Sequence, residues 1–268
     1  MDRLGVIVAG AGGRMGRAII TAVASHPKLR LHAAVERPGG AALGRDAATL
    51  AGLEPLGVLV TDDLAAVLDG AGAIIDFTTP AATLGNAALA RRHGLVHVIG
   101  TTGCSPDDDE AIAEAARGGA RIVKSGNFSM GVAVLASLVR QAGAALAEFD
   151  IEIVEMHHRG KVDAPSGTAL MLGEAAAQGR GVDLASHSVR GRDGHTGTRD
   201  AGTIGFASLR GGTVVGEHMV TFAGPAERIE LTHRAEDRAI FANGAVRAAI
   251  WAAGQPAGLY SMNDVLGL

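Results

Sequence analysis

Between residues 155 and 169 the chain reads Glu155-Met156-His157-His158-Arg159-Gly160-Lys161-Val162-Asp163-Ala164-Pro165-Ser166-Gly167-Thr168-Ala169. Two imidazoles, an arginine, a lysine and carboxylates fall in one loop that ends in a Pro-Ser-Gly-Thr helix start. His157 is suited to proton delivery because imidazole titrates near neutral pH. Lys161 offers a second acid, a fixed cation for an anionic substrate, or an amine for a Schiff base. The helix start at Ser166-Gly167-Thr168 supplies backbone N–H groups and a hydroxyl, a seat for a carboxylate. Asp163-Ala164-Pro165 reads as the turn that aims it. Together these residues describe a pocket for a small, negatively charged, unsaturated substrate whose reduction needs a proton. A metal centre does not fit. Neighbouring residues on a strand point to opposite faces, no further ligands sit at zinc-like spacing, and Gly94 with the strand at Val96 breaks the helix that would align His93 with His97.

A second stretch names the source of reducing equivalents. The apolar run Gly5-Val6-Ile7-Val8-Ala9 leads into Gly10-Ala11-Gly12-Gly13-Arg14-Met15-Gly16 and then a helical pattern. Glycines at such a turn let the backbone approach a pyrophosphate, whose charge the helix N-terminus holds. Glu36 closes the second strand at the offset expected for a ribose-binding acid. Arg37 follows it at once and can neutralise a 2'-phosphate, so both NADH and NADPH are expected to bind. Gly100-Thr101-Thr102-Gly103 and Ser125-Gly126-Asn127-Phe128 follow later strands, where doubly wound sheets bind ligands. They suit the nicotinamide end, or are ordinary strand-to-helix turns with hydroxyl caps. Cys104 is either a thioester-forming nucleophile, as in a semialdehyde dehydrogenase, or a small buried hydrophobe.

The elements that must position these residues alternate. Strand patterns at 5–10, 31–36, 57–60, 73–77, 96–100 and 120–124 are separated by helical patterns at 14–25, 63–68, after Pro80 and after Pro106. That alternation predicts a doubly wound α/β parallel sheet. From Met130 the texture changes. A long Ala/Leu/Val helix covers 130–146, a strand covers 150–155, and a helix runs over 168–177. A polar, glycine-rich segment at 179–202 reads as a long surface loop. Strand patterns at 203–209, 213–222 and 228–233 follow without helices between them, which predicts a smaller α+β domain with a mixed or antiparallel sheet. The division expected is 1–128 for dinucleotide binding and 129–235 for substrate binding and oligomerisation. The terminal region 236–268, with its helix at 239–253, is expected to pack back on the first domain.

Bulk properties set the class. The chain has 268 residues, 47% hydrophobic and 19% charged, enough for a real core. The net charge of -4 argues against a nucleic-acid binder. No apolar run approaches the ~20 residues of a membrane span, and Met1-Asp2-Arg3-Leu4-Gly5 lacks a signal-peptide layout. The single cysteine fits a reducing, cytoplasmic setting.

With these residues in view, the sequence resembles the dihydrodipicolinate reductase family over essentially its whole length. The likeness rests on Val8-Ala9-Gly10-Ala11-Gly12-Gly13-Arg14-Met15-Gly16-Arg17, Glu36-Arg37, Ile99-Gly100-Thr101-Thr102-Gly103, Asn127-Phe128-Ser129, and above all the stretch at 155–169. Gly194-His195-Thr196-Gly197, Gly202-Thr203-Ile204-Gly205-Phe206 and Phe241-Ala242-Asn243-Gly244-Ala245 add to it. The resemblance implies a Rossmann-like first domain and NAD(P)H-dependent reduction of 4-hydroxy-tetrahydrodipicolinate, with loss of water, on the diaminopimelate route to lysine. It implies His157 and Lys161 as the proton-handling pair and His158, Gly167 and Thr168 as ligands of the substrate carboxylates. It also implies a homotetramer built through the second-domain sheets, and hinge closure between domains. Gly160 stands where some members carry a basic or polar side chain, and Thr79 where some carry arginine near the adenosine end. A dinucleotide-sensing protein without catalysis is the competing class; it has no need for His157, Lys161 and the Ser166-Gly167-Thr168 seat together.

Overall fold

A computed structural model describes residues 3–268. Met1 and Asp2, which begin both the expected leaderless N-terminus and the first expected domain, lie outside them. The chain forms two compact units, one up to Ser129 with Ala239–Gly267, the other Met130–Arg238.

The first unit opens with β1 (Leu4–Ala9), α1 (Arg14–Ser25), β2 (Leu29–Val35), α2 (Ala47–Leu50), β3 (Val60–Thr61), β4 (Ala73–Asp76), α3 (Pro80–His93), β5 (Val96–Ile99), α4 (Pro106–Arg117) and β6 (Arg121–Lys124). The second holds α5 (Met130–Ala145), β7 (Asp150–His157), α6 (Gly167–Arg180), α7 (Leu184–His187), β8 (Ser188–Val189), β9 (Ile204–Arg210), β10 (Gly216–Ala223) and β11 (Arg228–Ala235). The chain then returns to the first unit as α8 (Ala239–Ala253), β12 (Gly258–Tyr260) and α9 (Met262–Leu266).

In the first unit a sheet of order β12-β6-β5-β4-β1-β2-β3 is parallel throughout. Its central strands are apolar and buried along almost their whole length, as helices on both faces require. The order reverses between β1 and β4, so the carboxyl ends of these two strands flank the crevice where such sheets bind ligands. Local chemistry sets the helices. Gly16, Ile19, Ile20 and Val23 give α1 its buried stripe. Thr79 caps α3, with Pro80 in its first turn and Gly94 in the left-handed conformation at its end. Ser105 and Asp108 form a reciprocal capping box on α4, whose acidic first turn suits the helix dipole.

In the second unit the order is β11-β10-β7-β9-β8. The β11–β10 and β10–β7 pairs are antiparallel, while β7–β9 and β9–β8 are parallel, so the sheet is mixed. Leu135 and Val139 of α5 and Leu172 and Ala176 of α6 pack on Ile151, Ile153, Phe206, Val220 and Phe222 of one sheet face. The alternating residues of the other face, among them Val154, Met156, Leu209 and Met219, are half-buried or exposed.

Several local expectations change. The segment 179–202 is not one loop: α6 continues to Arg180, Asp183 caps α7, and β8 pairs with β9. Buried Leu184 is the anchor that a polar, glycine-rich composition concealed. The strand expected at 57–60 shrinks to Val60–Thr61, and the helix at 63–68 to a 3-10 turn, Ala65–Val67. The strand β12 was not foreseen, since three residues are too few to show a period; it adds to β6.

Candidate active site

The dinucleotide turn is held by backbone contacts. Gly10 follows β1 at φ 74°, a conformation glycine adopts without strain. Its N–H and that of Ala11 donate to the Val35 carbonyl at 2.8 and 3.0 Å, which ties the turn to the end of β2. The Glu36 carboxylate lies across it, accepting the Gly12 N–H on Oε2 and the Arg37 N–H on Oε1, each at 2.9 Å. A Cβ on Gly12 would stand 2.8 Å from that Oε2, so a side chain there would push the carboxylate off the turn. Gly13 caps α1 without a side-chain bond, leaving the first-turn N–H groups of Arg14, Met15 and Gly16 for an anion. Arg17, Arg37 and Arg45 border the same cleft of about 290 Å³ as Glu36. The residues present therefore fit a dinucleotide: a glycine cradle for the pyrophosphate, an acid for ribose hydroxyls, and guanidinium groups for a 2'-phosphate. Sequence reading missed Arg45 because it reaches the cleft from the loop after Gly44, with no periodic signal.

At the carboxyl ends of β4 and β5 a buried polar network appears around Asp76, which is 0% exposed. Its Oδ1 accepts the Thr78 N–H and hydroxyl at 3.0 and 2.6 Å, and the Thr101 hydroxyl at 3.3 Å. Its Oδ2 accepts Asn86 Nδ2–H at 2.9 Å and His97 Nε2–H at 3.2 Å. Burial alone would raise this carboxyl, but the hydrogen bonds and charge of His97, with Thr78 and Asn86, hold it at about 2. The Gly100-Thr101 turn is thus fixed through its Thr101 side chain, while Thr102 is exposed. A Cβ on Gly100 would collide with the Phe77 ring. In the sequence Asp76 is legible only as an acid ending an otherwise apolar strand. After β6, the Ser125 hydroxyl donates to the Asn127 carbonyl at 2.7 Å, and Asn127 Oδ1 accepts the Ser129 N–H at 2.8 Å. Gly126 is exposed. The Phe128 ring, 1% exposed, packs on Phe77 with centroids 5.5 Å apart; it supports the turn from within the core.

In the second unit the 155–169 stretch falls at the end of β7, the following loop and the start of α6. His157 Nδ1–H donates to Glu155 Oε2 at 2.6 Å. The carboxylate can only accept, so Nδ1 carries a proton and Nε2 is the ring's remaining site for proton exchange. Glu155, 1% exposed, also takes two bonds from Arg210, at 2.8 and 3.0 Å, and the Ser166 N–H at 3.2 Å. Burial pushes Glu155 up, but the bonds from Arg210 and His157 outweigh it and leave it below the usual range. For His157 burial dominates and lowers it; Glu155 opposes, and nearby Lys161 and Arg210 add to the lowering. Ser166 caps α6 by accepting the Ala169 N–H at 3.1 Å and meets His218 Nε2 at 3.0 Å. His218 is edge-on to His157, centroids 5.1 Å apart; burial, then the neighbouring His157, lowers it to about 4, so it is neutral at pH 7. Lys161 Nζ donates to both Asp163 oxygens at 2.7 and 2.8 Å. Gly167 faces open space and Thr168 and His158 are half-buried. Glu155, Arg210 and His218 were not singled out from sequence; Glu155 was legible two residues before His157 on the same strand face, whereas the other two arrive from separate strands.

The remaining candidates resolve on geometry. Cys104 packs against the first unit's core, and burial, opposed by Lys124, raises its thiol, the opposite of nucleophile activation. Among the described residues no three His, Cys, Asp or Glu side chains gather as metal ligands, and no helix is long and apolar enough to cross a membrane. A Cβ at Gly160 would meet only the His158 ring at 3.5 Å, ordinary contact that leaves room for a side chain.

Comparison with known proteins gives the family. Residues 4–128 match the family model "Dihydrodipicolinate reductase, N-terminus" and residues 131–266 its C-terminus counterpart. The "4-hydroxy-tetrahydrodipicolinate reductase" of Rhodopseudomonas palustris (strain BisB18) is 61% identical, covering 100% of this chain and 99% of that protein. That of Rhizobium rhizogenes is 57% identical, with 100% and 98% covered. Among solved structures, the dipicolinate-bound dihydrodipicolinate reductase from Paenisporosarcina sp. TG-14 superimposes with a TM-score of 0.78 at 23% identity, covering 97% of each chain. An amine dehydrogenase from Mycobacterium smegmatis shares the fold at a TM-score of 0.61, with 14% identity and 98% and 96% covered. Two family models that together span residues 4–266, and relatives 57 to 61% identical over the whole chain, place it in the dihydrodipicolinate reductase family.

Proposed function

We propose that the chain reduces 4-hydroxy-tetrahydrodipicolinate to tetrahydrodipicolinate, with loss of water, on the diaminopimelate route to lysine in the cytoplasm. The observation that carries this reading is the buried Glu155–His157 pair beside the amino end of α6, in a chain whose relatives bear that reductase name at 57 to 61% identity. The reaction consumes one reduced nicotinamide and one proton and releases water. When bound, the nicotinamide cofactor supplies the hydride. The first unit is the dinucleotide-binding domain: the Gly10–Gly16 backbone holds the pyrophosphate and Glu36 the ribose. Glu36 with Arg37, and with Arg17 and Arg45 on the same cleft, supports use of both NADH and NADPH. Thr101, Thr102 and the Ser125–Phe128 turn bound the nicotinamide end.

The second unit is the substrate domain. The Gly167 and Thr168 N–H groups, the Thr168 hydroxyl and His158 hold the substrate's carboxylates, since the start of a helix favours negative charge. His157 Nε2 delivers the proton to the carbon conjugated with the one that takes the hydride. Lys161 stands near as a second acid or fixed cation. In a coupled assay that generates substrate from pyruvate and aspartate semialdehyde, oxidation of both NADPH and NADH is expected. Oxidation of neither would falsify the assignment.

A homotetramer formed through the second-unit sheet follows from the same reading. Among the described residues, one face of that sheet carries Val154, Met156, Leu209 and Met219, half-buried or exposed and outside the cluster that α5 and α6 form with the opposite face, and apolar sheet faces are normally covered. Light scattering on the purified chain is expected to give four times the chain mass; a monomer would overturn this part.

A further inference from the structure

The Glu155 carboxylate joins three groups that sequence distance separates. One oxygen takes the His157 Nδ1–H at 2.6 Å and the other the Ser166 N–H at 3.2 Å. Arg210, from the end of β9, reaches both oxygens and also donates to the Asp163 carbonyl at 2.6 Å. Ser166 in turn caps α6. A buried carboxylate needs a cation and full hydrogen bonding, and Arg210 with Ser166 already supplies both. The 2.6 Å bond to His157 is therefore more than charge neutralisation requires. It joins the proton-delivering ring to the carboxylate seat through one rigid group.

We propose that Glu155 is a positioning residue for the reduction, fixing His157 with its neutral-state proton on Nδ1 and its Nε2 toward substrate, while Arg210 sets how strongly the ring feels the carboxylate. This rests on the reading of His157 as the proton donor. In the step itself the imidazolium gives its Nε2 proton to substrate carbon, and the neutral ring keeps its Nδ1–H on Glu155. Solvent then reprotonates Nε2. Without Glu155 the neutral ring is free to take the other tautomer, so that it is recharged at Nδ1 and nothing holds Nε2 toward substrate.

The groups facing His157 make the sign testable. Glu155 lies on its own strand and favours the imidazolium. Arg210 and Ser208 come from β9 and His218 from β10, with His233 beyond it on β11; Lys161 and Asp163 lie in the loop. Burial, Lys161 and Arg210 disfavour the imidazolium, and neutral His218 adds no charge at pH 7. Glu155→Gln keeps the shape but removes the attraction. Its amide oxygen stays with Arg210 and Ser166, and its NH₂ turns to Nδ1. Arg210→Gln removes a repelling cation and leaves the carboxylate's pull unshared.

The experiment is ring-nitrogen NMR on the full chain, with His157→Gln identifying the His157 signals, alongside kcat as a function of pH. Wild type is expected to show the neutral ring protonated at Nδ1, and Glu155→Gln to move that proton to Nε2. The basic limb of kcat is expected at lower pH in Glu155→Gln and at higher pH in Arg210→Gln. The kcat loss in Glu155→Gln is expected to stay below the ~10²–10⁴-fold of a lost general acid. A wild-type ring protonated at Nε2, or limbs that move together or not at all, overturns the proposal. A merely structural role lowers kcat and the melting temperature in both variants without opposite limb shifts. If wild type turns over no substrate, the functional reading fails, while the tautomer measurement still decides the positioning role. If Glu155→Gln does not fold, the wild-type tautomer and the Arg210→Gln limb decide it.

Discussion

Replacing His157 with glutamine is expected to lower kcat by about 10²–10⁴-fold, the usual worth of a positioned general acid, while the cofactor Kd stays unchanged. His157 is the one imidazole of the 155–169 stretch with a buried carboxylate on Nδ1, so its other nitrogen is pre-oriented without help from substrate. Glutamine can keep a hydrogen bond to Glu155 but has no titratable proton to deliver. The glycine cradle belongs to the other unit, which is why cofactor binding is expected to be indifferent. Steady-state kinetics with a fluorescence titration of NADPH measures both quantities. Lys161→Ala in parallel is expected to lower kcat as well, because its ammonium stands near His157. Retained kcat in both variants would move the chemistry to other residues.

Gly16→Ala is expected to lower the melting temperature and to weaken NADPH and NADH binding together. Gly16 is buried on α1, and a Cβ there would overlap the Gly10 carbonyl oxygen and stand 2.8 Å from the Ala11 Cα. Both obstacles are backbone, so no flexible side chain can yield and α1 must move off the turn. Overpacking of this kind costs about 1–3 kcal/mol, sometimes more, and ~3 kcal/mol carried into binding is roughly a 10²-fold weaker Kd. Gly85→Ala is the internal control. Gly85 is exposed within α3 and a Cβ there meets nothing, so it is expected to stabilise by about 0.5–1 kcal/mol. Thermal melts and cofactor titrations of the two variants decide it. Wild-type behaviour in Gly16→Ala would mean that α1 does not pack this closely on the turn.

These expectations divide according to how far apart in sequence their causes lie. Gly10, Gly12 and Gly16 announce a backbone approach because glycine's freedom is an intrinsic property and the strand–turn–helix around them is contiguous. The alternation of apolar runs with amphipathic helices announces the parallel sheet in the same way. His157, Lys161 and the Ser166-Gly167-Thr168 helix start are legible as candidates because titratable and anion-binding groups crowd into one short loop. Among the elements misjudged, two are held by long-range contacts: β12 exists because β6 offers it an edge, and α7 because Leu184 finds the second unit's core.

By itself, then, the sequence determined which candidate groups lie together along the chain and that two kinds of sheet would present them. Those are matters of residue type and local period. Only the tertiary structure decided how the groups are tuned. Asp76 became the centre of a buried network through His97 on a neighbouring strand, Arg45 came to share a cleft with Glu36, and Arg210 and His218 reached Glu155 and Ser166 from β9 and β10. Charges and hydrogen bonds act through space with a strength set by burial, and neither distance nor burial is written in the order of residues along the chain.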